Sequence, residues 1–247
     1  MTKIVSATLY CDRKPEYTGR ALKPLLESKL IDSVYINIQT DGNAKWFPML
    51  DWVGQSATAH KKTSDTDMWH ITSTWRKPAK YDQDQTRVKD IVLARNMAID
   101  YAIAHDADYL LFIDSDVIIA NEDIQTLLDM KVDLCGGLVY GRGVHRENPY
   151  VFGEVGRQGP IIHCVHGTCG YMLISRNVFE SQNFRYGWDQ KKEHFLSEDP
   201  AFCQDWHIKS GQYYQINTDV RAIHWDDPFR PLTEEGVARD EWKTIRE

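Results

Sequence analysis

The stretch Phe112–Val117 (FIDSDV) closes a run of apolar residues that begins at Tyr109 (YLLFI). A continuous apolar run of this length is typical of a strand that is buried on both faces. Asp114 and Asp116 follow the run directly, one residue apart. Ligands of open α/β sheets bind beyond the carboxyl ends of the strands, so the sequence predicts a functional site here. A solvated, aspartate-rich turn is the alternative interpretation.

Two carboxylates this close repel each other unless a cation lies between or near them. Hard divalent cations such as Mg²⁺ and Mn²⁺ bind carboxylate oxygens and commonly bridge to the phosphates of a substrate. Asp114 and Asp116 are therefore candidate ligands of such a cation.

Strand and helix patterns alternate over roughly the first 140 residues. The predicted strands are Lys3–Tyr10, Ser33–Thr40, one near Met68–Thr74, Tyr109–Ile113 and one within Val132–Tyr140 that Gly136-Gly137 breaks. The predicted helices are Arg20–Leu30, one near Trp46–Val53, Val88–Ala104 and one capped by Asn121. Strands near Tyr171–Ser175 and Tyr213–Asn217 and a helix after Asp199 follow. The alternation predicts an α/β fold with a mostly parallel sheet flanked by helices.

Composition narrows the class of protein. The chain has 247 residues and a formal net charge of −7, with 42% hydrophobic and 26% charged residues. These values exclude disordered, collagenous and coiled-coil chains, and the acidic balance argues against broad nucleic-acid binding. We expect no membrane span and no signal peptide. Five cysteines without a CxxC pair predict a reducing, cytoplasmic compartment rather than a disulfide framework.

Arg95 lies on the apolar stripe of the predicted helix Val88–Ala104. An unpaired guanidinium would be unfavourable there. One interpretation is structural: an ion pair with a buried aspartate, or a side chain that reaches the rim. The other is functional: a cation directed at a phosphate or at a carboxylate of the site.

Glu198 and Asp199 lie at the start of the predicted helix that continues after Asp199. Acidic residues in a first helical turn stabilise the helix, which is the structural interpretation. The functional one is a general base, because a carboxylate can accept the proton of an attacking hydroxyl group.

Histidines and cysteines raise the question of a metal site. His224 is either structural or a further ligand that completes an oxygen-rich metal site with Asp116. The segment His163–Cys169 holds four potential zinc ligands, but paired ligand spacings are absent. Cysteines that act as small buried apolar residues are the favoured interpretation.

Short motifs follow one another along nearly the whole chain. In order they are Thr40-Asp41-Gly42, Leu93-Ala94-Arg95-Asn96, Leu111–Val117, Gly136–Tyr140, Gly167–Ile174, Glu198–Cys203 and His224. In content and order they resemble the glycosyltransferases of the GT-A fold, nearest to the family-2-like enzymes of bacteria and phages. Residues 43–86 match least well.

The resemblance implies a donor site for a nucleotide-diphosphate sugar, most often a UDP-sugar, and a divalent cation, Mn²⁺ or Mg²⁺. Asp41 would lie near the nucleotide base, and Arg95 would lie by the nucleotide or support the DxD loop. Asp114 would contact the ribose or the metal ion. Asp116 and His224 would be metal ligands.

The resemblance also implies an acceptor site, with Asp199 as the general base and Glu198 as the fallback. An inverting transfer follows if Asp199 is the base. The chain departs from the family pattern at Thr40-Asp41, where an acidic pair is usual, and at Gly167–Cys169, where Gly-Thr-Gly is usual. The resemblance makes residues 1–247 one domain, with a donor half of about 1–120 and an acceptor half of about 121–247.

Three other functions stay open. A DxD phosphatase of the haloacid dehalogenase type usually has Thr or Val where this chain has Ile118. A sugar-nucleotide pyrophosphorylase needs a glycine-rich loop after the first strand, and Cys11–Pro15 contains no glycine. A non-catalytic carbohydrate-binding protein fits the 11% aromatic content but does not explain the ordered acidic motifs.

The hydroxyl acceptor is unidentified: a glycan, a small molecule, a protein or a hydroxymethylated DNA base. Basic residues concentrate at Lys61, Lys62, Arg76, Lys77, Lys80, Arg87 and Lys89. They form either a solvated face or a contact for a polyanionic acceptor.

Overall fold

The fold is built on one large mixed sheet. The computed structural model describes residues 2–11, 24–40, 69–75, 83–115, 117–139, 151–189 and 194–224. The helix predicted near Trp46–Val53 and the first part of that at Arg20–Leu30 lie outside these ranges, and residues 24–27 are helical. None of the helices in the described ranges is both long and apolar enough to cross a membrane.

The strands are β1 (Ile4–Cys11), β2 (Ser33–Thr40), β3 (Trp69–Trp75), β4 (Tyr109–Asp114), β5 (Val117–Ile118), β6 (Leu134–Val139), β7 (Phe152–Gln158), β8 (Ile161–His166), β9 (Tyr171–Ser175), β10 (Gly187–Asp189), β11 (His194–Leu196) and β12 (Tyr214–His224). The helices are α1 (Gln83–Ala104), α2 (Asn121–Asp129), α3 (Arg176–Phe179) and α4 (Glu198–Ser210).

The sheet changes character at β4. In the order β3-β2-β1-β4-β9-β6-β12-β8-β7, the first four strands are parallel. From β4 onward only the β6–β12 pair is parallel, and β5 pairs antiparallel with β12. Strands β10 and β11 form a separate hairpin. The α/β prediction is confirmed, with its parallel part in the first half and its mixed part in the second.

Strand β4 lies in the middle of the sheet because its side chains are apolar on both faces. Leu110 and Phe112 belong to one buried cluster, together with Ala98 of α1. Leu111 and Ile113 belong to the other, together with Ile124 of α2. Alternate residues of a strand point to opposite faces, so helices cover both sides of β4, as the continuous apolar run predicts.

The parallel strands end at one edge of the sheet. Leu9 of β1 aligns with both Asn37 of β2 and Asp114 of β4. Strand β2 ends at Thr40, so the chain leaves β2 at the same edge as Asp114. Asp41 itself lies outside the described residues.

Two local predictions were wrong. Asn121 does not cap α2: Ala120 occupies the N-cap position and Asn121 is the first helical residue. Gly136 and Gly137 do not break their strand, since β6 is continuous and buried throughout. The Tyr214 hydroxyl group donates to the carbonyl oxygen of Tyr171 at 3.2 Å, and a Cβ on Gly136 would collide with both atoms. The glycines therefore allow a close approach rather than a turn.

We predict that Gly136→Ala lowers the free energy of unfolding by at least about 2 kcal/mol, because the new methyl group meets backbone that cannot move aside. Urea denaturation measures this. Gly156→Ala is the control, since a Cβ there meets nothing within 4 Å. Equal stabilities of the two variants would contradict the prediction.

Candidate active site at the carboxyl end of strand β4

Arg95 is a buried cation at the centre of the site. It lies on α1 in the same stripe as Ala98, Ile99 and Ala102, and only 4% of its surface is exposed. The i, i+3, i+4, i+7 spacing of this stripe turns the arginine toward the sheet. Of the alternatives that the sequence left open, a side chain that reaches the rim is therefore excluded.

Three carboxylates surround the guanidinium group of Arg95. Its Nη2 atom lies 3.6 Å from Asp114 Oδ1, 3.5 Å from Glu198 Oε1 and 3.5 Å from Asp199 Oδ1. Burial by itself lowers the pKa of Arg95, but the surrounding acidic groups more than offset it and raise the pKa. Arg95 thus joins the end of β4 to the start of α4.

An aromatic surface lies against the guanidinium group. The Arg95 Cζ atom is 5.5 Å from the ring centre of Phe112 and 5.6 Å from that of Phe184, within the range of a cation–π contact. Among the described residues, Arg95 Nε has no hydrogen-bond partner. Phe184, which sequence analysis missed, comes from an irregular segment that carries no motif.

Asp114 is the last residue of β4 and opens toward solvent. Its side chain is 35% exposed, and its backbone N–H donates to the carbonyl oxygen of Gly170 at 3.2 Å. A Cβ on Gly170 would lie 3.5 Å from Asp114 Oδ2. The turn before β9 therefore forms a wall beside Asp114.

The first turn of α4 carries the other two carboxylates. Ser197 is the N-cap residue, and Glu198 and Asp199 follow it. Acidic side chains in this first turn interact favourably with the helix dipole. Asp199 Oδ2 accepts the backbone N–H of Cys169 at 2.9 Å. This bond ties Asp199 to the same turn that flanks Asp114. The two acidic side chains differ in exposure, 8% for Glu198 and 17% for Asp199.

Burial raises the pKa of the Glu198 carboxyl group to about 7. The negative charge of Asp199 contributes to this rise, and the Arg95 guanidinium opposes both effects. Glu198 therefore changes protonation near neutral pH.

The predicted metal ligands are only partly described. Asp116 lies outside the described residues, and nothing is described of the His224 side chain. The strand predicted at Tyr213–Asn217 continues to His224, which pairs with Val117. The backbone thus places His224 beside the residue that follows Asp116. Among the side chains that are described, no group of three or more His, Cys, Asp or Glu could hold a metal ion.

The cysteines pack as apolar side chains. Cys164 and Cys169 of the segment His163–Cys169 belong to the core, and burial raises the pKa of both thiols. Cys135 and Cys203 are also buried, and all four are free of disulfides. Cys203 Sγ accepts the backbone N–H of Gly167 at 3.2 Å.

By sequence, no family model and no curated protein matches this chain. Solved structures do match. The mannosyltransferase PcManGT from Pyrobaculum calidifontis, in complex with GDP-Man and Mn²⁺, aligns over 98% of this chain and 60% of its own, with a TM-score of 0.54 and 10% identity. TarS from S. aureus aligns over 92% of this chain and 37% of its own, with a TM-score of 0.55 and 13% identity.

A197 from STIV aligns over 92% of this chain and 87% of its own, with a TM-score of 0.44 and 14% identity.

The chain has a GT-A-type glycosyltransferase fold. The fold predicted from the order of the motifs is therefore confirmed. The chain spans less than two thirds of the length of PcManGT and of TarS. Within the GT-A-type fold, Asp114, Arg95, Glu198 and Asp199 come together as a cluster at the carboxyl edge of the parallel strands.

We predict that replacing Glu198 flattens the pH dependence of stability. The pKa of Glu198 is about 7 in the folded protein and about 4.3 in an unfolded chain. A raised pKa gives stability that is full below the unfolded value and lost as the pH rises through the folded value. The free energy of unfolding of Glu198→Gln, relative to the wild type, should therefore be higher at pH 8 than at pH 5.

Urea denaturation at the two pH values measures this difference. Glu180→Gln is the control for the substitution itself, because the Glu180 side chain is 52% exposed. A difference between Glu198→Gln and the wild type that stays constant from pH 5 to pH 8 would show that the prediction is wrong.

Proposed function

We propose that this chain is a glycosyltransferase that moves a sugar from a nucleoside-diphosphate sugar to a hydroxyl acceptor with the help of a divalent cation. One observation carries the proposal: Asp114, Glu198 and Asp199 converge on Arg95 at the carboxyl edge of a GT-A-type sheet. A similar solved structure, PcManGT, is a mannosyltransferase in complex with GDP-Man and Mn²⁺. That similarity supports the class of donor and the use of a cation.

The described side chains carry more acidic than basic groups at this edge, which favours a cation there. One guanidinium faces three carboxylates, and Asp116 adds a further negative charge close to Asp114 in sequence. Asp114, Asp116 and His224 would hold the ion, and the carboxylate oxygens of the two aspartates suit Mn²⁺ or Mg²⁺. A bound cation would stabilise the charge of the departing nucleoside diphosphate as a Lewis acid.

Asp199 is the proposed general base. Its side chain is more exposed than that of Glu198, and the N–H of Cys169 holds its Oδ2 atom in place. Asp199 accepts the proton of the acceptor hydroxyl group as that oxygen bonds to the anomeric carbon. The bond from this carbon to the diphosphate oxygen breaks, and the electron pair leaves with the diphosphate. This displacement inverts the configuration at the anomeric carbon. Glu198 is the fallback base.

The donor site belongs to the first half of the chain in this proposal. Residues of about 1–120 would hold the nucleotide sugar, with Asp41 near the base and Arg95 supporting Asp114. The transferred group is a hexose or a pentose. A UDP-sugar is the first donor to test, and GDP-mannose is the second because PcManGT carries it.

The acceptor site belongs to residues of about 121–247. The acceptor is a glycan, a small molecule, a protein or a modified DNA base. The basic residues that bear on a polyanionic acceptor lie outside the described residues, or, for Arg87 and Lys89, in a part of α1 whose side chains are not described. A cytoplasmic location stays a prediction, which the absence of disulfides among the four cysteines with described side chains supports.

We predict that the wild type binds a nucleotide sugar only when Mn²⁺ or Mg²⁺ is present. Asp116→Asn should lose this cation-dependent binding, because the amide lacks the charge that holds the ion. Isothermal titration with UDP-sugars and GDP-mannose, with and without the metal, measures it. Asp219→Asn is the control, since Asp219 is exposed on a strand outside the DxD loop. A wild type that binds none of these donors would sink the proposed function.

We predict that Asp199→Asn keeps donor binding but loses turnover by at least about 100-fold, the usual contribution of a general base. Release of nucleoside diphosphate, with water or a panel of hydroxyl compounds as acceptor, measures turnover. Asp205→Asn is the matched control on the same helix, because Asp205 pairs with Arg185 at the surface instead. Full turnover of Asp199→Asn would reject Asp199 as the base and leave Glu198→Gln as the next variant.

A further inference from the structure

Asn96 follows Arg95 on α1 and makes two reciprocal hydrogen bonds with the backbone of Phe184. Its Nδ2 group donates to the carbonyl oxygen of Phe184 at 3.0 Å. Its Oδ1 atom accepts the backbone N–H of Phe184 at 2.8 Å. The side-chain amide therefore satisfies both polar groups of one residue that lies 88 positions away in sequence.

Phe184 needs this partner because its segment has no regular secondary structure. Residues 182–186 lie between α3 and β10 as an irregular stretch, and Phe184 is 2% exposed. Buried backbone groups without partners are unfavourable, by about 1–3 kcal/mol each. The Asn96 amide supplies the partners that a neighbouring strand would otherwise provide.

The ring of Phe184 lies at the centre of an aromatic cluster. It stacks on Phe202 of α4, with centroids 4.0 Å apart and planes at 11°. It meets Phe112 of β4 edge-on, at 5.3 Å and 85°. The guanidinium carbon of Arg95 is 5.6 Å from the same ring. One ring thus contacts the strand, the helix and the cation of the candidate active site.

The position of the Arg95 guanidinium depends on this cluster. Its contacts with the three carboxylates are 3.5–3.6 Å long, longer than the 2.7–2.9 Å of a strong charge-assisted hydrogen bond. Its Nε atom has no hydrogen-bond partner in the described part of the chain. Short, directional bonds therefore do not fix the guanidinium, and the rings of Phe112 and Phe184 are the other groups that pack against it.

We infer that Asn96 is a positioning residue of the active site, which acts through Phe184 to hold the Arg95 guanidinium among Asp114, Glu198 and Asp199. The effect on turnover rests on the proposed function. The effect on Arg95 itself does not, since it follows from the contacts alone.

The experiment compares Asn96→Ala with Asn217→Ala. Both asparagines are at most partly exposed and bind backbone through their side chains, since Asn217 Oδ1 accepts the N–H of Asp219 at 3.0 Å. This hydrogen bond of Asn217 does not involve any residue of the aromatic cluster. Urea denaturation measures the free energy of unfolding of both variants. A loss of stability that the two variants share can then be distinguished from a change at Arg95.

The first readout is the side-chain ¹H–¹⁵N NMR signal of the Arg95 guanidinium, assigned by its loss in Arg95→Lys. We expect Asn96→Ala to shift or broaden this signal and Asn217→Ala to leave it unchanged. An Arg95 signal in Asn96→Ala that matches the wild type would overturn the inference. Should Asn96→Ala fail to fold, Phe184→Leu replaces it, because this variant keeps the two hydrogen bonds and removes the ring. We expect a shifted or broadened Arg95 signal in Phe184→Leu, and a signal that matches the wild type would overturn the inference.

The second readout is turnover of the nucleotide sugar at saturating donor. We expect Asn96→Ala to lose about tenfold or more, because small displacements of catalytic groups have effects of this size or larger. Asn217→Ala should retain turnover, and equal losses in the two variants would count against the inference. If the wild type itself turns over no donor, the proposed function fails, while the NMR signal still decides the role of Asn96.

Discussion

The buried guanidinium of Arg95 is the interaction on which the site depends. It neutralises carboxylates from two parts of the chain that lie about 85 residues apart, the end of β4 and the start of α4. Removing one partner from a buried ion cluster leaves an uncompensated charge, which destabilises a protein by about 3–5 kcal/mol. The ion pairs of Arg95 therefore support the fold, and its functional role in the candidate site stays a prediction.

The change of strand direction beside β4 explains why these groups meet. Strand β9 runs antiparallel to β4, so the turn that leads into β9 lies at the edge where β4 ends. That turn offers the N–H of Cys169 to Asp199 and the carbonyl oxygen of Gly170 to Asp114. A wholly parallel sheet would need a crossover connection to bring backbone groups to this place.

The sequence predicted those features that depend on local patterns. The apolar run of β4, the stripe of α1 and the acidic first turn of α4 each have a periodicity or a charge that one segment reveals. The sequence did not predict the features that depend on contacts between two distant segments. Gly136 looked like a strand breaker because nothing nearby in sequence shows that Tyr214 crosses it. The Asn96–Phe184 pair joins residues 88 positions apart and has no periodic signal.

The four cysteines whose side chains the structure describes are all buried, and they report local opening of the core. Burial raises the pKa of Cys164 to about 11 and that of Cys135 to about 12, so almost no thiolate exists at neutral pH. Because the thiolate is the form that reacts with alkylating reagents, these thiols become reactive only when the surrounding strands and α4 separate. The rate of alkylation of these thiols therefore measures how often the core beneath the site opens.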